Sequence, residues 1–218
     1  HSHKKALTAI QNGFFKPGIL SINVEEVYLD EKGKKQKRNY TVDTDEGVRA
    51  DTTPEALAKL KPAFAVNGSV TAGNSSQTSD GAAFVIVMSE RMINELGLKP
   101  VARLVNCASA GVHPRILGIG PVEAVPKVLK QSGMSLNDID LFELNEAFAS
   151  QSLAVIRQLN LNPAVVNING GAIALGHPLG MSGTRIVNTA AIELHLRQKR
   201  FALCTIAKRT LVVTTGTL

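Results

Sequence analysis

The segment at residues 165–185 reads VVNINGGAIALGHPLGMSGTR, and it decides the fold class. Its apolar start predicts a strand over residues 165–169, the glycines that follow predict tight turns, and the residues after His177 predict a helix. A strand joined to a helix through a glycine-rich turn is the repeating unit of α/β sheets. The histidine lies in that turn, where a loop held by rigid elements can present an imidazole that titrates near neutral pH.

Similar patterns flank this segment. Apolar runs predict strands over residues 101–108, 139–144 and 201–206, with helices between them. The inner helical faces are predicted as Val122, Val125 and Leu129, then Ala149, Leu153 and Ile156, then Val187, Ala190, Ala191 and Leu194. Gly133 should end the first of these helices, and Pro126 is tolerated only if it lies in the first turn. Strands that alternate with helices imply an α/β sheet with largely parallel pairing.

The chain before residue 98 is less regular. Residues 82–88 read AAFVIVM and predict a short buried strand. Ser89 can cap a helix that runs to Leu96, and Gly97 should end that helix. Residues 1–69 contain short elements, and five basic residues crowd one predicted loop there: Lys32, Lys34, Lys35, Lys37 and Arg38. A solvated charged turn is the plainer interpretation of this loop, and attraction of an anionic partner is the alternative.

Composition excludes several classes of protein. The chain has 218 residues, of which 44% are hydrophobic, with no Trp and a net charge of +6. It is long enough for a sizeable core, and its apolar runs are shorter than the ~20 residues of a membrane span. Cys107 and Cys204 are too few for a disulfide framework and lack metal-ligand spacing, so we predict reduced thiols and no metal site. Basic residues without interleaved aromatic residues do not favour nucleic acid as a partner.

A second polar motif ends another predicted strand. Asn145 follows residues 139–144 and opens the run NEAFA. In sheets of this class, ligands gather beyond the carboxyl ends of the strands, where Asn145 and His177 both lie. The sequence therefore predicts a site that contains both side chains. Capping of the following helix is the structural alternative for Asn145, and Glu146 is expected to face the dipole of that helix.

These motifs resemble the thiolases, enzymes that cleave or form carbon–carbon bonds in 3-ketoacyl-coenzyme A thioesters. The resemblance rests on two long motifs, at residues 142–151 and 176–183, and it spans roughly residues 2–206. Shorter matches are SHKKA at residues 2–6, VTAGNSS at 70–76, DGAA at 80–83 and GIGP at 118–121. Together they indicate the C-terminal half of a thiolase with part of its loop domain, and they indicate that the N-terminal half is absent.

The resemblance implies a layered αβαβα fold, of which this chain holds one half with a mostly parallel mixed sheet covered by helices. Residues 1–69 would be a partial loop domain that covers coenzyme A and takes part in oligomerisation. Residues 70–97 would be the last elements of the truncated N-terminal half, and residues 98–218 the C-terminal domain. The tail at residues 207–218 has no counterpart in the family and suggests a shifted reading frame or a truncated gene model.

Roles for individual residues also follow from the resemblance. His177 would activate a nucleophilic cysteine and donate to the thioester oxygen, and Asn145 would hold a water that donates to the same oxygen. Ser76, Phe64, Ala147, Phe148 and Gly171 would bind the substrate or the pantetheine arm of coenzyme A, although both phenylalanines also suit an ordinary core. The glycines of the histidine segment would leave main-chain N–H groups facing the substrate, with turn formation as the alternative.

Both expected catalytic cysteines are missing. The nucleophile belongs to the N-terminal half, and Ala207, Lys208 and Arg209 stand where the family has Cys-x-Gly. Cys204 is no substitute, because a shift of three residues turns its side chain to the other face of the sheet. The chain by itself is therefore predicted to be inactive.

The functional expectation is a fragment of an acyltransferase that cleaves 3-ketoacyl-CoA to acyl-CoA and acetyl-CoA, or runs the reverse reaction. Residues 142–151 favour the degradative enzymes of fatty-acid β-oxidation over the biosynthetic type, and the Gly-His-Pro motif excludes the related ketoacyl synthases. The alternative is a non-catalytic piece that binds acyl-CoA or forms oligomers. Coenzyme A would be a co-substrate with no permanently bound cofactor. The partners would be the missing N-terminal half and further copies of the chain, in the cytoplasm, without a membrane or nucleic acid.

Overall fold

A computed structural model describes residues 1–207 and 209–215 of the chain. The helices are α1 (Ser2–Gln11), α2 (Pro54–Ala58), α3 (Glu90–Leu96), α4 (Gly120–Ser132), α5 (Ala149–Gln158), α6 (Ala172–Leu175) and α7 (Ser182–Leu196). The strands are β1 (Ile22–Leu29), β2 (Lys35–Val42), β3 (Arg103–Ser109), β4 (Leu141–Leu144), β5 (Phe201–Ile206) and β6 (Arg209–Thr214). Several short 3₁₀ turns connect these elements.

The main sheet has the strand order β3-β6-β5-β4. Strands β4 and β5 are parallel, whereas β6 is antiparallel to both of its neighbours. The prediction of a mixed α/β sheet covered by helices is confirmed, but the prediction that pairing is mostly parallel is wrong. Residues 209–214, which lie in the tail that the sequence marked as atypical, form the inner strand β6. Only two residues separate β5 from β6, which is too short for a parallel crossover and imposes an antiparallel hairpin.

Helices cover both faces of this sheet. Helices α4 and α5 pack on one face, over a core that includes Phe142, Leu144 and Leu203. Helix α7 packs on the other face, over a core that includes Leu141 and Cys204. Successive residues of a strand point to opposite faces, so β4 supplies both cores by simple alternation. Leu141 therefore faces α7, whereas Phe142 and Leu144 face the core under α4 and α5.

Two details of the predicted helices are wrong. Pro126 lies in the second turn of α4, not in the first, and α4 continues past it with Val125 and Val128 buried on its inner face. In α5 the buried residues are Ser152 and Val155, while Leu153 is 49% exposed. The hydroxyl of Ser152 donates to the carbonyl of Phe148, which allows a serine to face inward.

Residues 165–169 do not form the predicted strand. A single parallel bridge joins Val166 to Phe142, and Asn167 then takes a left-handed conformation with φ of 45°. The side-chain amide of Asn167 replaces the missing ladder: its Oδ1 accepts from the backbone N–H of Leu144 and its Nδ2 donates to the carbonyl of Leu144, both at 2.8 Å. A side chain therefore provides the pairing that the backbone was expected to provide.

Residues 82–88 also lack the predicted strand, because within the described parts of the chain no other segment pairs with them. Phe84 and Ile86 are each 87% exposed. The helix after this run is as predicted: Ser89 accepts from the N–H of Met92 at the start of α3, and Gly97 ends α3 with φ of 61°.

The predicted basic loop is part of a hairpin formed by β1 and β2. Lys32 and Lys34 lie in the turn, whereas Lys35, Lys37 and Arg38 belong to β2. Lys37 pairs with Glu25 at 2.8 Å and Arg38 pairs with Glu26 at 2.6 Å across the strands. Part of the positive charge is therefore balanced locally on an exposed surface.

Candidate active site

Asn145 and His177 meet beside the carboxyl end of β4. Asn145 follows β4 directly, and His177 lies in the turn between α6 and α7. The two side chains approach with 3.3 Å between Nδ2 of Asn145 and Nε2 of His177. By alternation along β4, Asn145 points to the same face as Leu141, which is the face that α7 covers. The structure thus brings together the two residues that the sequence singled out.

His177 is held through its ring and through its backbone. Its Nδ1 lies 2.6 Å from the hydroxyl of Ser182 in the first turn of α7. Its backbone N–H donates to the carbonyl of Gln77 and to the hydroxyl of Ser79, both at 3.2 Å. Burial lowers the pKa of His177, and the nearby charge of Arg185 lowers that pKa further. The ring is therefore neutral at pH 7 and available as a base.

Asn145 is anchored by its backbone and leaves an acceptor unused. Its N–H donates to the carbonyl of Thr205 at 3.0 Å, which ties the end of β4 to the end of β5. Its side-chain Oδ1 is buried and has no hydrogen-bond partner among the described residues. Buried polar atoms without a partner are uncommon and point to a group such as an ordered water. The capping role for Asn145 is not observed, because Phe148 is the residue that precedes α5.

Four residues predicted to contact coenzyme A lie next to one another. The N–H of Ser76 donates to the carbonyl of Ala147 at 2.9 Å, and residues 75 and 148 form an antiparallel bridge. The rings of Phe64 and Phe148 pack edge to face, with 6.3 Å between their centroids. Phe64 is 75% exposed, which excludes an ordinary core role for it in this chain. A surface cavity of about 440 Å³ lies at residues 61–67, next to this aromatic pair.

The backbone N–H of Gly171 is already bonded within the protein. Its N–H donates to the hydroxyl of Ser2 at 2.8 Å, so this amide does not face a substrate. A side chain at this position would instead collide with the carboxylate of Glu146. Glu146 accepts from Nδ2 of Asn167 at 3.0 Å and from the N–H of Ile173 at 3.3 Å. It therefore faces the start of α6, and the prediction that it faces the start of α5 is wrong.

Several supporting residues were not found from the sequence. The amide of Gln77 donates to the carbonyls of Gly47, Ile173 and Ala174, which joins its own segment to the loop at Gly47 and to α6. Ser2 ties α1 to the glycine turn. Ser182 carried a signal, because it belongs to the same glycine-rich segment as His177. For Ser2 and Gln77 the partners are distant in sequence, and no local pattern reveals them.

A buried ionisable cluster lies under the site. Burial raises the pKa of the Glu143 carboxyl to about 8, although Arg185 acts in the opposite direction. Cys204, which pairs with Glu143 in register, is fully buried, and burial raises the pKa of its thiol well above the ordinary value. A buried neutral thiol is a poor nucleophile. Cys204 is thus inert, and Ala207 occupies the position after β5.

Other kinds of site have no counterpart in the parts of the chain that the structure describes. Across residues 1–207 and 209–215, no group of three or more His, Cys, Asp or Glu side chains is placed to hold a metal ion. Over the same residues, no helix combines the length and the apolar character required to cross a membrane.

Comparison with known proteins connects this geometry to one family. Residues 98–212 match the family model described as the thiolase C-terminal domain, and residues 1–91 match the one described as the thiolase N-terminal domain. The chain is 48% identical over 204 residues to a 3-ketoacyl-CoA thiolase of Bacillus subtilis, a match that covers 94% of this chain and 52% of the relative. It is 51% identical to an acetyl-CoA acetyltransferase of Pseudomonas aeruginosa, covering 94% of this chain and 50% of that protein.

Solved structures agree with the sequence matches. The acetyl-CoA acetyltransferase of Bacillus anthracis superposes with a TM-score of 0.91 at 42% identity, covering 98% of this chain and 53% of the other. A human mitochondrial 3-ketoacyl-CoA thiolase in complex with CoA superposes with a TM-score of 0.84 at 38% identity, covering 99% of this chain and 52% of the other.

The matches also define how much of a thiolase is present. The chain spans about half the length of the curated relatives it matches. The prediction that the N-terminal half is absent is wrong as stated, because residues 1–91 match the N-terminal domain of the family. Since both domain models and both sets of relatives agree, the chain belongs to the thiolase family.

Proposed function

We propose that this chain is part of an acyltransferase that cleaves 3-ketoacyl-CoA with free CoA to give acyl-CoA and acetyl-CoA, in fatty-acid β-oxidation, or that catalyses the reverse condensation. The observation that carries the proposal is the contact between Asn145 and His177 beside the carboxyl end of β4. The imidazole has a lowered pKa, and the side chain of Asn145 that contacts it through Nδ2 keeps a buried Oδ1 without a partner among the described residues. A thioester carbonyl beside these two side chains meets the groups that the reaction requires.

Each group has a distinct task in the proposed reaction. His177 removes a proton from the nucleophilic cysteine, and its protonated Nε2 then donates to the thioester oxygen as negative charge develops there. Asn145 holds a water that donates to the same oxygen. The nucleophile lies in the part of the relatives that has no counterpart here. The acid for the departing enolate would be a second cysteine at position 207, where this chain has alanine, so this chain does not supply that group itself.

The exposed surface around Phe64, Ser76, Ala147 and Phe148 is the proposed binding site for the pantetheine arm of coenzyme A. Exposed aromatic rings offer apolar contact area, and the main chain of residues 75, 76, 147 and 148 is already tied together. Coenzyme A acts here as a co-substrate. Its phosphates suit the positive charge of the chain.

The partner of the exposed run at residues 82–88 is proposed to be the portion of a thiolase that this chain lacks. An exposed apolar run that belongs to neither sheet among the described residues can add to a neighbouring sheet as a further strand. Membership of the thiolase family is also the basis for three further proposals. These are the domain division predicted from the sequence, assembly into homo-oligomers and a cytoplasmic location.

The proposed activity is best tested in a chimera. The N-terminal portion of the B. subtilis 3-ketoacyl-CoA thiolase that has no counterpart here would be joined to this chain, with Ala207→Cys and Arg209→Gly introduced. We expect this chimera to consume acetoacetyl-CoA in the presence of free CoA. The same chimera with Ala207 retained should be slower by about 10²- to 10⁴-fold, the usual contribution of a general acid or base.

Two controls decide between the possible roles of the residues. His177→Ala in the active chimera should remove most of the activity, and His195→Ala should leave it unchanged because His195 lies at the far end of α7. An inactive chimera that folds and binds CoA would refute the enzymatic proposal for this chain.

Such an outcome would favour the alternative, a non-catalytic acyl-CoA-binding or oligomer-forming piece. The observation behind this alternative is that Cys204 is buried and inert while Ala207 is not reactive. Titration calorimetry of the 218-residue chain with CoA, compared with its Phe148→Ala variant, distinguishes a binding surface from an inert one.

A further inference from the structure

Ser182 is the closest neighbour that the structure gives the imidazole of His177. Its side chain is fully buried, and its Oγ lies 2.6 Å from Nδ1 of His177 and 2.9 Å from the carbonyl of Pro178. A serine hydroxyl carries one proton, so it can donate to one of these two neighbours and must accept from the other. If the hydroxyl donates to Pro178, it accepts from His177, and Nδ1 of the imidazole must then carry a proton.

The contact with Pro178 settles that choice. The carbonyl of Pro178 also accepts the backbone N–H groups of Met181 and Ser182, both at 3.0 Å, so it acts only as an acceptor. Two oxygens at 2.9 Å repel each other unless a proton lies between them. The hydroxyl proton of Ser182 therefore points to Pro178, and a lone pair of its oxygen points to His177.

The other side of the ring agrees with this arrangement. Nδ2 of Asn145 lies 3.3 Å from Nε2 of His177, and an amide nitrogen acts only as a donor. Nε2 must then be the acceptor, and Nδ1 must carry the proton. The contacts at 2.6, 2.9 and 3.3 Å are all satisfied by one tautomer of the imidazole.

We propose that Ser182 is a positioning residue that holds His177 in the tautomer with the proton on Nδ1, so that Nε2 is the only ring nitrogen that takes up and releases a proton. The consequence for catalysis rests on the proposed function. In the reaction, Nε2 takes the proton of the cysteine thiol, the sulfur keeps the electron pair, and the Nδ1–H bond to Ser182 stays unchanged. The hydroxyl also stabilises the resulting imidazolium, because a charged donor strengthens the hydrogen bond.

The tautomer can be measured on the 218-residue chain without any activity. A two-bond ¹H–¹⁵N correlation spectrum of the ¹⁵N-histidine-labelled chain distinguishes protonated from unprotonated ring nitrogens, and the His177→Gln variant assigns the signal. Above the pKa of His177 we expect a protonated Nδ1 and an unprotonated Nε2. The wild-type spectrum alone overturns the proposal if it shows the proton on Nε2.

Substitution of the serine tests whether Ser182 is the cause. Ser182→Ala should lose the single-tautomer signature and give averaged shifts for both nitrogens, whereas Ser182→Thr, which keeps the hydroxyl, should retain it. Ser132→Ala is the matched control, because Ser132 donates to the carbonyl four residues before it at 2.8 Å, as Ser182 does, but in α4. A Ser182→Ala chain that keeps Nδ1 fully protonated would refute the role of Ser182.

The two proposals fail separately. An inactive chimera together with a protonated Nδ1 would refute the proposed function and leave the role of Ser182 intact. An active chimera with the proton on Nε2 of the resting His177 would support the proposed function and refute the role of Ser182.

Discussion

Two apolar runs of this chain have similar sequences and opposite fates. Residues 201–206 (FALCTI) form β5, where Leu203 and Cys204 are completely buried. Residues 82–88 (AAFVIVM) are at least as apolar, yet Phe84 and Ile86 are each 87% exposed. Strand β5 has β4 and β6 on its two sides and helices on both faces, whereas residues 82–88 have no strand beside them in the described chain. Hydrophobicity predicts a strand for both runs, but only the run that pairs with neighbouring strands forms one.

The contrast extends to the two parts of the chain. Among the described residues, the buried apolar side chains before residue 100 are those of Ala6 and Ala9. All the others lie at or after Ala108 in β3. The first part contributes a hairpin, α1 and the segment around Gln77, and it builds no core of its own. Of these elements, α1 bonds to the glycine turn through Ser2, and the carbonyl of Gln77 accepts from the N–H of His177. The second part has its own core and carries Asn145 and His177.

The largest expected effect comes from truncating the same type of side chain in each run. Leu203→Ala removes a fully buried side chain and should lower the free energy of unfolding by about 2–5 kcal/mol. Ile86→Ala removes an exposed one and should change it by less than about 0.5 kcal/mol. Urea unfolding of both variants measures the difference. Equal losses in the isolated chain would mean that residues 82–88 are buried after all.

Residues 165–169 lie between these extremes, because a side chain replaces their backbone pairing. Asn167→Ala should destabilise the chain by about 1–3 kcal/mol more than Asn160→Ala, since it leaves the buried N–H and carbonyl of Leu144 without partners. Asn160 is the matched control, with φ of 52° against 45° and an exposed side chain. Equal unfolding free energies for the two variants would show that the conformation, and not the hydrogen bonds, makes asparagine necessary at residue 167.

A smaller effect should appear as a pH dependence in the buried part. The pKa of Glu143 is about 8 in the folded chain, above its usual value of 4.5. The folded state keeps a proton that the unfolded state loses, so the contribution of Glu143 to stability is greatest below pH 4.5 and declines as the pH rises to about 8. Glu143→Gln should therefore flatten the fall in unfolding free energy across this window.

The control for this experiment is Glu95→Gln, which changes an exposed carboxyl paired with Arg91. Denaturant unfolding at several pH values should give this variant the same slope as the wild type. A wild-type chain whose stability does not fall between pH 4.5 and about pH 8 would contradict a buried, protonated Glu143.

Much of the fold could be predicted from local patterns. The α/β class, β5, α3 and the glycine ends of α3 and α4 follow from apolar spacing and from residues that favour caps. The antiparallel β6 and the side-chain pairing of Asn167 could not be predicted in the same way, because each depends on which segments become neighbours. For the site, the two glycine- and asparagine-containing motifs were sufficient to select His177 and Asn145. Their supports Ser2 and Gln77 contact segments from 30 to 169 residues away.

The sequence by itself determined the class of the fold, the family and the two polar residues that end up together, since each of these depends on residue types at short spacing. The tertiary structure decided which apolar runs are buried, that the N–H of Gly171 meets the hydroxyl of Ser2, and which side chains lie beside the two ring nitrogens of His177. Those outcomes depend on distances between segments far apart in the chain, and strand pairing and hydrogen bonding act only once such segments are in contact.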